Sequence, residues 1–152
     1  MFAHIYAFPF ARILIAEEAG ALVRVDFADV LPAGGIDRET SLLREAARQL
    51  NEYFAGRRQV FDLPLRPAGT PFQQKVWQAL QTIPYGQTRS YQEIAGQIGN
   101  LKACRAVGYA NHNNPIAIII PCHRVIGKSG RLTGYAGGLE LKERLLRLEQ
   151  GV

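Results

Sequence analysis

The chain has 152 residues, of which 47% are hydrophobic and 20% are charged. This composition is typical of a globular protein, and the length suffices for one ordinary domain or two small ones. The longest strongly apolar run, residues 116–120, is too short to cross a membrane, and the amino terminus lacks the features of a signal peptide. Two cysteines, Cys104 and Cys122, are too few for a disulfide scaffold or a cysteine-rich zinc site. We therefore expect a cytoplasmic protein without membrane association.

The formal net charge of +5 is concentrated in the second half of the chain. Residues 1–70 carry eight Arg and nine Asp or Glu, a net charge of −1, whereas residues 71–152 carry ten Lys or Arg and four Glu, a net charge of +6. A basic region favours a polyanionic partner such as nucleic acid, but the same charge also serves solubility. The charge alone leaves both interpretations open.

The first third of the chain predicts a small α/β unit. Short runs rich in β-branched and aromatic residues occur at 5–8, 12–16 and 22–27, and turn residues separate them. Over residues 40–54 the apolar positions recur at helical spacing. An extended segment with two prolines, residues 61–67, ends this unit, so we place the domain boundary between residues 67 and 68.

Residues 68–152 predict a helical unit. Thr70 and Gln73 form a capping box with Pro71 at the first helical position, and Ser90 with Glu93 forms a second capping box. Both patterns mark the start of a helix.

A helix-turn-helix is predicted after the second capping box. A short helix runs to about residue 98, Gly99 and Asn100 supply a turn, and residues 102–110 form the next helix. Packed helical pairs without a DNA-binding role are commoner than DNA readers, so this pattern alone does not decide. The run at 116–120 predicts a buried strand, and residues 139–149 predict an amphipathic closing helix.

Cys122 is the candidate nucleophile. It follows the apolar run and Pro121, and His123 and Arg124 come directly after it. A thiol attacks as its thiolate, which cationic neighbours and an adjacent base favour. The alternative is a buried structural cysteine beside a surface histidine, because neighbours in sequence need not face each other.

The sequence IPCHRVI at residues 120–126 resembles the signature of the O6-alkylguanine-DNA alkyltransferases. Further segments fall at that family's spacing, and the strong resemblance extends from Thr70 to Gln150; these segments are 84–86, 90–91, 102–108, 114–115, 134–138 and 142–149. The resemblance implies an α+β fold. Residues 1–67 would form a ribonuclease H-like α/β domain with an antiparallel sheet, and residues 68–152 a helical, winged-helix-like domain with the helix-turn-helix.

The implied function is direct reversal of O6-alkylguanine damage in double-stranded DNA, with O4-alkylthymine as a further substrate. The alkyl group would move irreversibly to Cys122, so each molecule would act once. The resemblance implies a monomer that needs no cofactor and no metal ion, located in the cytoplasm and at the nucleoid when bound to DNA.

Catalytic roles carry over residue by residue. Cys122 would accept the alkyl group, His123 would activate the thiol through a water molecule, and Glu149 would orient His123. Asn114 would brace the turn that holds the cysteine. Tyr91 would hydrogen-bond N3 of the base and supply a proton to the departing guanine.

Roles in DNA binding carry over in the same way. Arg105 would enter the duplex and fill the gap left by the flipped nucleotide, because an O6-alkyl group is inaccessible inside the base stack. The other predicted DNA contacts are Ser90, Lys102, Ala103, Arg124 and Lys128. The predicted base pocket consists of Tyr91, Val125, Tyr135, Ala136 and Gly137, with the backbone N–H of Ala136 facing O6.

Three other functions remain as alternatives. A non-catalytic protein that senses alkylguanine would resemble the alkyltransferase-like proteins, but those lack an acceptor cysteine, so Cys122 speaks against it. A cysteine hydrolase or redox thiol would not need the helix-turn-helix or Arg105 and would turn over. A transcriptional regulator would be favoured by a palindromic operator.

Overall fold

The computed structural model describes all 152 residues and divides them into two units, Met1–Ala68 and Gly69–Val152. A four-stranded sheet and one helix build the first unit. Its elements are β1 (Phe2–Ala7), β2 (Arg12–Glu18), β3 (Ala21–Asp26), β4 (Ile36–Asp37) and α1 (Ser41–Phe54). The strand order is β3-β2-β1-β4, in which β1, β2 and β3 are antiparallel and the short β4 is parallel to β1.

Strand β2 is the centre of this unit. Four consecutive residues, Ile13 to Ala16, are completely buried, so both faces of the strand are covered. Helix α1 packs against β2, and a cluster that includes the loop residues Ala28 and Leu31 packs against Leu14 and Ala16. Helix α1 therefore covers one face of β2, and a loop covers the other.

Two local features fix the ends of these elements. Ala19 and Gly20 link β2 to β3 and both have positive φ angles, 50° and 81°, as a tight hairpin turn requires. Thr40 caps α1 by accepting a hydrogen bond from the backbone N–H of Leu43 at 3.2 Å, and its hydroxyl donates to Glu17 at the end of β2 at 2.6 Å.

The predicted extended segment 61–67 is bonded to the sheet. The N–H of Leu22 donates to the carbonyl of Pro64, and the N–H of Arg66 donates to the carbonyl of Leu22, each at 2.8 Å. Leu65 therefore pairs in parallel with Leu22 at the free side of β3.

The second unit is mainly helical. Its elements are α2 (Pro71–Leu80), β5 (Arg89–Ser90), α3 (Tyr91–Gln97), α4 (Cys104–His112), a single 3-10 turn (Cys122–Arg124), β6 (Val125–Ile126) and α5 (Leu139–Gln150). Both predicted capping boxes are confirmed, since the hydroxyls of Thr70 and Ser90 accept the N–H groups of Gln73 and Glu93 and the return bonds are also present. Strands β5 and β6 pair in parallel.

Helices α3 and α4 pack together and form the helix-turn-helix, with Gly99 at φ 82° in the turn between them. Helix α4 begins two residues later than predicted. Helix α4 is bonded to α2 through Trp77, which is buried and donates from its indole Nε1 to the carbonyl of Ala110 at 2.9 Å. No helix in the structure is long and apolar enough to cross a membrane.

The prediction of a strand at residues 116–120 is wrong. These residues are buried, as expected, but residues 117–119 form a tight turn. The N–H of Ile119 donates to the carbonyl of Ala117 at 2.7 Å across Ile118, which has a φ of 69°. The N–H of Cys122 likewise donates to the carbonyl of Ile120 at 2.8 Å. A β-branched residue with positive φ is strained, so the surrounding structure must hold this segment in place.

Candidate functional site

Cys122 is buried and begins the 3-10 turn that follows the strained segment. Asn114 spans this segment: its side-chain Nδ2 donates to the carbonyl of Ile120 at 2.8 Å, and its Oδ1 accepts from the N–H of Ile116 at 3.0 Å. These two bonds tie the start of the segment to its end. The position of the cysteine is therefore set by a side chain eight residues before it.

Burial raises the pKa of the Cys122 thiol. A hydrogen bond from the Asn114 side chain and the positive charge of Lys142 act in the opposite direction. Since the desolvation effect dominates, the resting cysteine is a thiol. A nucleophilic role for Cys122 then requires a base that takes its proton during the reaction.

His123 is the candidate for such a base. The ring is completely buried, and its Nε2 lies 2.6 Å from Oε2 of Glu149. Burial lowers the pKa of His123 despite the nearby carboxylate, so the imidazole is neutral at pH 7. The carboxylate can only accept, so Nε2 carries the hydrogen and Nδ1 keeps its lone pair. Nδ1 is buried and has no hydrogen-bond partner, which leaves it available as a proton acceptor.

Arg124 does not fit the predicted DNA contact, and the structure corrects that assignment. Its guanidinium is buried and forms a two-pronged ion pair with Glu149, with Nε–Oε1 and Nη2–Oε2 distances of 2.7 and 3.0 Å. Its Nη1 donates to the carbonyl of Ile83 at 2.8 Å, and the group lies over the ring of Tyr85. Each of the three guanidinium nitrogens thus donates to a partner inside the protein.

We call Glu149, His123 and Arg124 the Glu149 cluster. Burial alone would raise the pKa of Glu149, but the hydrogen bonds and charges of His123 and Arg124 lower it. The cluster therefore holds one carboxylate, one guanidinium and a neutral imidazole. It balances its charges and fixes the orientation of the histidine ring.

Lys142 is a buried charged residue near Cys122 that the sequence analysis did not single out. It lies on α5, is completely buried, and donates from Nζ to the carbonyls of Val125 at 2.6 Å and Thr133 at 3.1 Å. Burial lowers its pKa, and the nearby Cys122 acts in the opposite direction. Its spacing of three and four residues from Leu145 and Leu146 places it on the apolar stripe of α5, and this signal could have revealed its burial.

Tyr91 reaches the glycine-rich loop. It is the first residue of α3, directly after β5, and the pairing of β5 with β6 holds it beside the segment that follows the cysteine. Its hydroxyl lies 2.5 Å from Oγ1 of Thr133. Because Lys142 bonds the carbonyl of the same threonine, the loop is held at two points.

The other predicted pocket residues differ in exposure. Val125 and Tyr135 are buried, Gly137 is half-buried and Ala136 is exposed. Among the predicted DNA contacts, three cations are exposed and two small residues are half-buried; these are Lys102, Arg105 and Lys128, and Ser90 and Ala103. The hydroxyl of Ser90 also caps α3. Nowhere do three or more His, Cys, Asp or Glu residues form a group that could hold a metal ion.

A cysteine and a neutral histidine in one turn, with a carboxylate behind the histidine, define an enzyme that uses a thiol nucleophile. Two family models identify the particular enzyme class. The model of the 6-O-methylguanine DNA methyltransferase, DNA binding domain, matches residues 71–151, and that of the ribonuclease-like domain matches residues 1–67.

Known proteins resemble the chain over nearly its whole length. The methylated-DNA–protein-cysteine methyltransferase of Methanosarcina acetivorans is 53% identical over 154 residues, which cover 98% of each chain. The constitutive enzyme of Bacillus subtilis is 50% identical over 151 residues, covering 93% of this chain and 91% of that one. A crystal structure of Mycobacterium tuberculosis OGT in complex with DNA superimposes with a TM-score of 0.94 at 47% identity, covering 99% of this chain and 94% of the other.

The chain therefore belongs to the 6-O-methylguanine DNA methyltransferase family. The sequence-based predictions of this family, of a methyltransferase and of an α+β fold with a ribonuclease-like and a DNA-binding domain are confirmed.

Proposed function

We propose that this protein repairs DNA by transferring the alkyl group of O6-alkylguanine to the sulfur of Cys122. The observation that carries the proposal is the buried Cys122 next to a neutral His123, whose Nδ1 is free and whose Nε2 is held by Glu149. Membership in the family and the DNA-bound state of the M. tuberculosis relative support the same function.

In the proposed step the sulfur attacks the alkyl carbon in line with the bond to O6. A sulfur–carbon bond forms, the carbon–oxygen bond breaks, and its electrons remain on the guanine. The thiol loses its proton to Nδ1 of His123 through a water molecule, and the departing guanine gains a proton, supplied by Tyr91. The step is thus balanced in protons and needs no co-reactant. Because the thioether is stable, Cys122 is used once.

The alkylated base must leave the duplex before Cys122 can reach it. We assign this task to the exposed cations of the second unit, where the net charge is +6. Arg105 lies on an exposed part of α4 and has no intramolecular ion pair, so it is available to fill the vacated position. Lys102 and Lys128 are available for phosphates, together with Ser90 and Ala103 at the starts of α3 and α4.

The extruded base would enter a pocket formed by five residues, namely Tyr91, Val125, Tyr135, Ala136 and Gly137. Tyr91 would contact N3, and the backbone N–H of Ala136 would face O6. O4-alkylthymine would react at the same cysteine. We propose that the protein acts as a monomer on double-stranded DNA, in the cytoplasm and at the nucleoid.

The loss of O6-methylguanine from a duplex, measured with the protein in limiting amount, tests this function. The amount of lesion repaired should equal the amount of protein and then stop. Cys122→Ser should bind the duplex and repair nothing. Continued turnover would contradict a terminal thioether. Tight binding of the lesion with no loss of O6-methylguanine would instead indicate a non-catalytic sensor.

A further inference from the structure

Asn111 has a buried oxygen without a partner beside the active-site cysteine. The residue lies near the end of α4 and is 4% exposed. Its side-chain Nδ2 donates to the backbone carbonyl of Cys122 at 3.3 Å. Its Oδ1 is buried and accepts no hydrogen bond. The sequence analysis did not single out this residue, because it stands in an asparagine-rich run that is typical of a turn.

The orientation of this amide follows from its one partner. The carbonyl of Cys122 can only accept, so the amide nitrogen must face it and the oxygen must be the atom left over. The two ends of a carboxamide are close together, so Oδ1 lies no more than about 6 Å from the Cys122 carbonyl oxygen. A buried acceptor without a donor is costly, and in native proteins it calls for a specific reason.

A donor on the bound base would supply the missing hydrogen bond, and this step rests on the proposed function. O6-alkylguanine has lone pairs at N1, N3 and N7, and its exocyclic N2 amine is its only donor group. O4-alkylthymine has no donor on its ring edge, since N3 carries no hydrogen and O2 accepts. The amine and O6 lie on the same edge of guanine, on either side of N1. Asn111 Oδ1 is the buried acceptor without a donor next to the Cys122 backbone, and the amine is the donor that shares an edge with O6.

We propose that Asn111 is a specificity-determining residue, whose Oδ1 accepts a hydrogen bond from the N2 amine of the alkylated guanine. The Nδ2 bond to the Cys122 carbonyl fixes the orientation of the amide and leaves Oδ1 as the free acceptor. The residue thereby favours alkylated guanine over alkylated thymine, which would leave Oδ1 without a donor.

Single-turnover rates on three duplexes test this proposal. The first duplex carries O6-methylguanine, the second carries O6-methylhypoxanthine, and the third carries O4-methylthymine. O6-methylhypoxanthine differs from O6-methylguanine only in lacking the N2 amine. The wild type should react about 3- to 10-fold faster with O6-methylguanine than with O6-methylhypoxanthine, which corresponds to one neutral hydrogen bond. In Asn111→Leu the two rates should become nearly equal, and O4-methylthymine should gain relative to O6-methylguanine by a similar factor.

The comparison uses ratios of rates, so a general loss of activity in the variant cancels. Asn111→Ala provides a second variant if the leucine is not accommodated, and Asn113→Ala, at an exposed position two residues away, is the control that should keep the wild-type ratio. Equal wild-type rates with and without the amine would overturn the proposal, as would a wild-type ratio in the Asn111 variants. No methyl transfer from any duplex would instead refute the proposed function on which the inference rests.

Discussion

Each unit of the protein carries a network of ion pairs, and the two networks differ in burial. On α1, Arg48 pairs with Glu45 and Glu52, and these side chains are between 29% and 53% exposed. In the second unit, Arg124 and His123 pair with Glu149, and no side chain in this cluster is more than 7% exposed. Water solvates the charges of the first network when they separate, but it cannot do so for the second. Similar geometry therefore has different consequences, and the buried network holds the proposed base, His123, in one protonation state.

Removal of the buried carboxylate should have the largest effect. Glu149→Gln leaves the charge of Arg124 without a counterion and should lower the free energy of unfolding by about 3–5 kcal/mol. It also weakens the orientation of His123, so methyl transfer should slow. Urea unfolding and single-turnover rates measure the two effects. The matched substitution Glu45→Gln in the exposed network should change stability little, and equal losses in both variants would contradict the different effect of burial on the two networks.

Substitutions of two arginines in the second unit should differ in which substrates they affect. Arg105 is exposed and unpaired, so Arg105→Ala should slow repair of duplex DNA by about tenfold or more and leave the reaction with free O6-benzylguanine nearly unchanged. Arg124→Lys disturbs the Glu149 cluster and should slow both reactions alike. Equal losses on the two substrates in Arg105→Ala would remove its assigned role in base extrusion.

The stability of the second unit should depend on pH through the Glu149 cluster. The lowered pKa of His123 means that the unfolded chain binds a proton below about pH 6.5 that the folded protein resists, so stability falls as the pH drops through this range. The lowered pKa of Glu149 has the same sign and acts from about pH 4.5 downwards. Urea unfolding at pH 7 and pH 5.5 measures the first effect. His112→Gln, at an exposed position, should keep the pH dependence, and stability that rises on acidification would contradict the neutral state of His123.

A smaller effect concerns binding to undamaged DNA. Lys128 is exposed, so Lys128→Ala should reduce the slope of log K against log salt concentration by about 0.9 if it neutralises one phosphate. Arg124→Lys should leave the slope unchanged, because Arg124 is directed inward. A slope that falls in Arg124→Lys would restore the DNA contact that the structure contradicts.

The sequence predicted those features that depend on near neighbours. The capping boxes at Thr70 and Ser90 need only residues three positions apart, and the structure has both. The prediction of a strand at residues 116–120 was wrong because burial and β-branching do not distinguish a strand from a buried turn. Its actual shape depends on the positive φ of Ile118 and on the bonds of Asn114.

The partners of the buried polar groups could not be predicted in this way. Arg124 meets a carboxylate 25 residues away, Lys142 bonds a carbonyl 17 residues away, and Asn111 bonds one 11 residues away. No periodicity in the sequence links such distant positions. Arg124, a basic residue beside the cysteine, was therefore predicted to contact DNA, although the fold directs it inward. The resemblance of IPCHRVI to the family's signature pointed to the cysteine, but its electrostatic setting required the structure.

Intact-protein mass spectrometry after mixing with a duplex that carries one O6-methylguanine tests whether Cys122 accepts the methyl group. The wild type should gain a single methyl group, which peptide mapping should place on Cys122 and not on the half-buried Cys104. Cys122→Ala should gain none. A methyl group on Cys104, or an unmodified protein that nevertheless binds the lesion, would contradict the assignment of Cys122 as the acceptor.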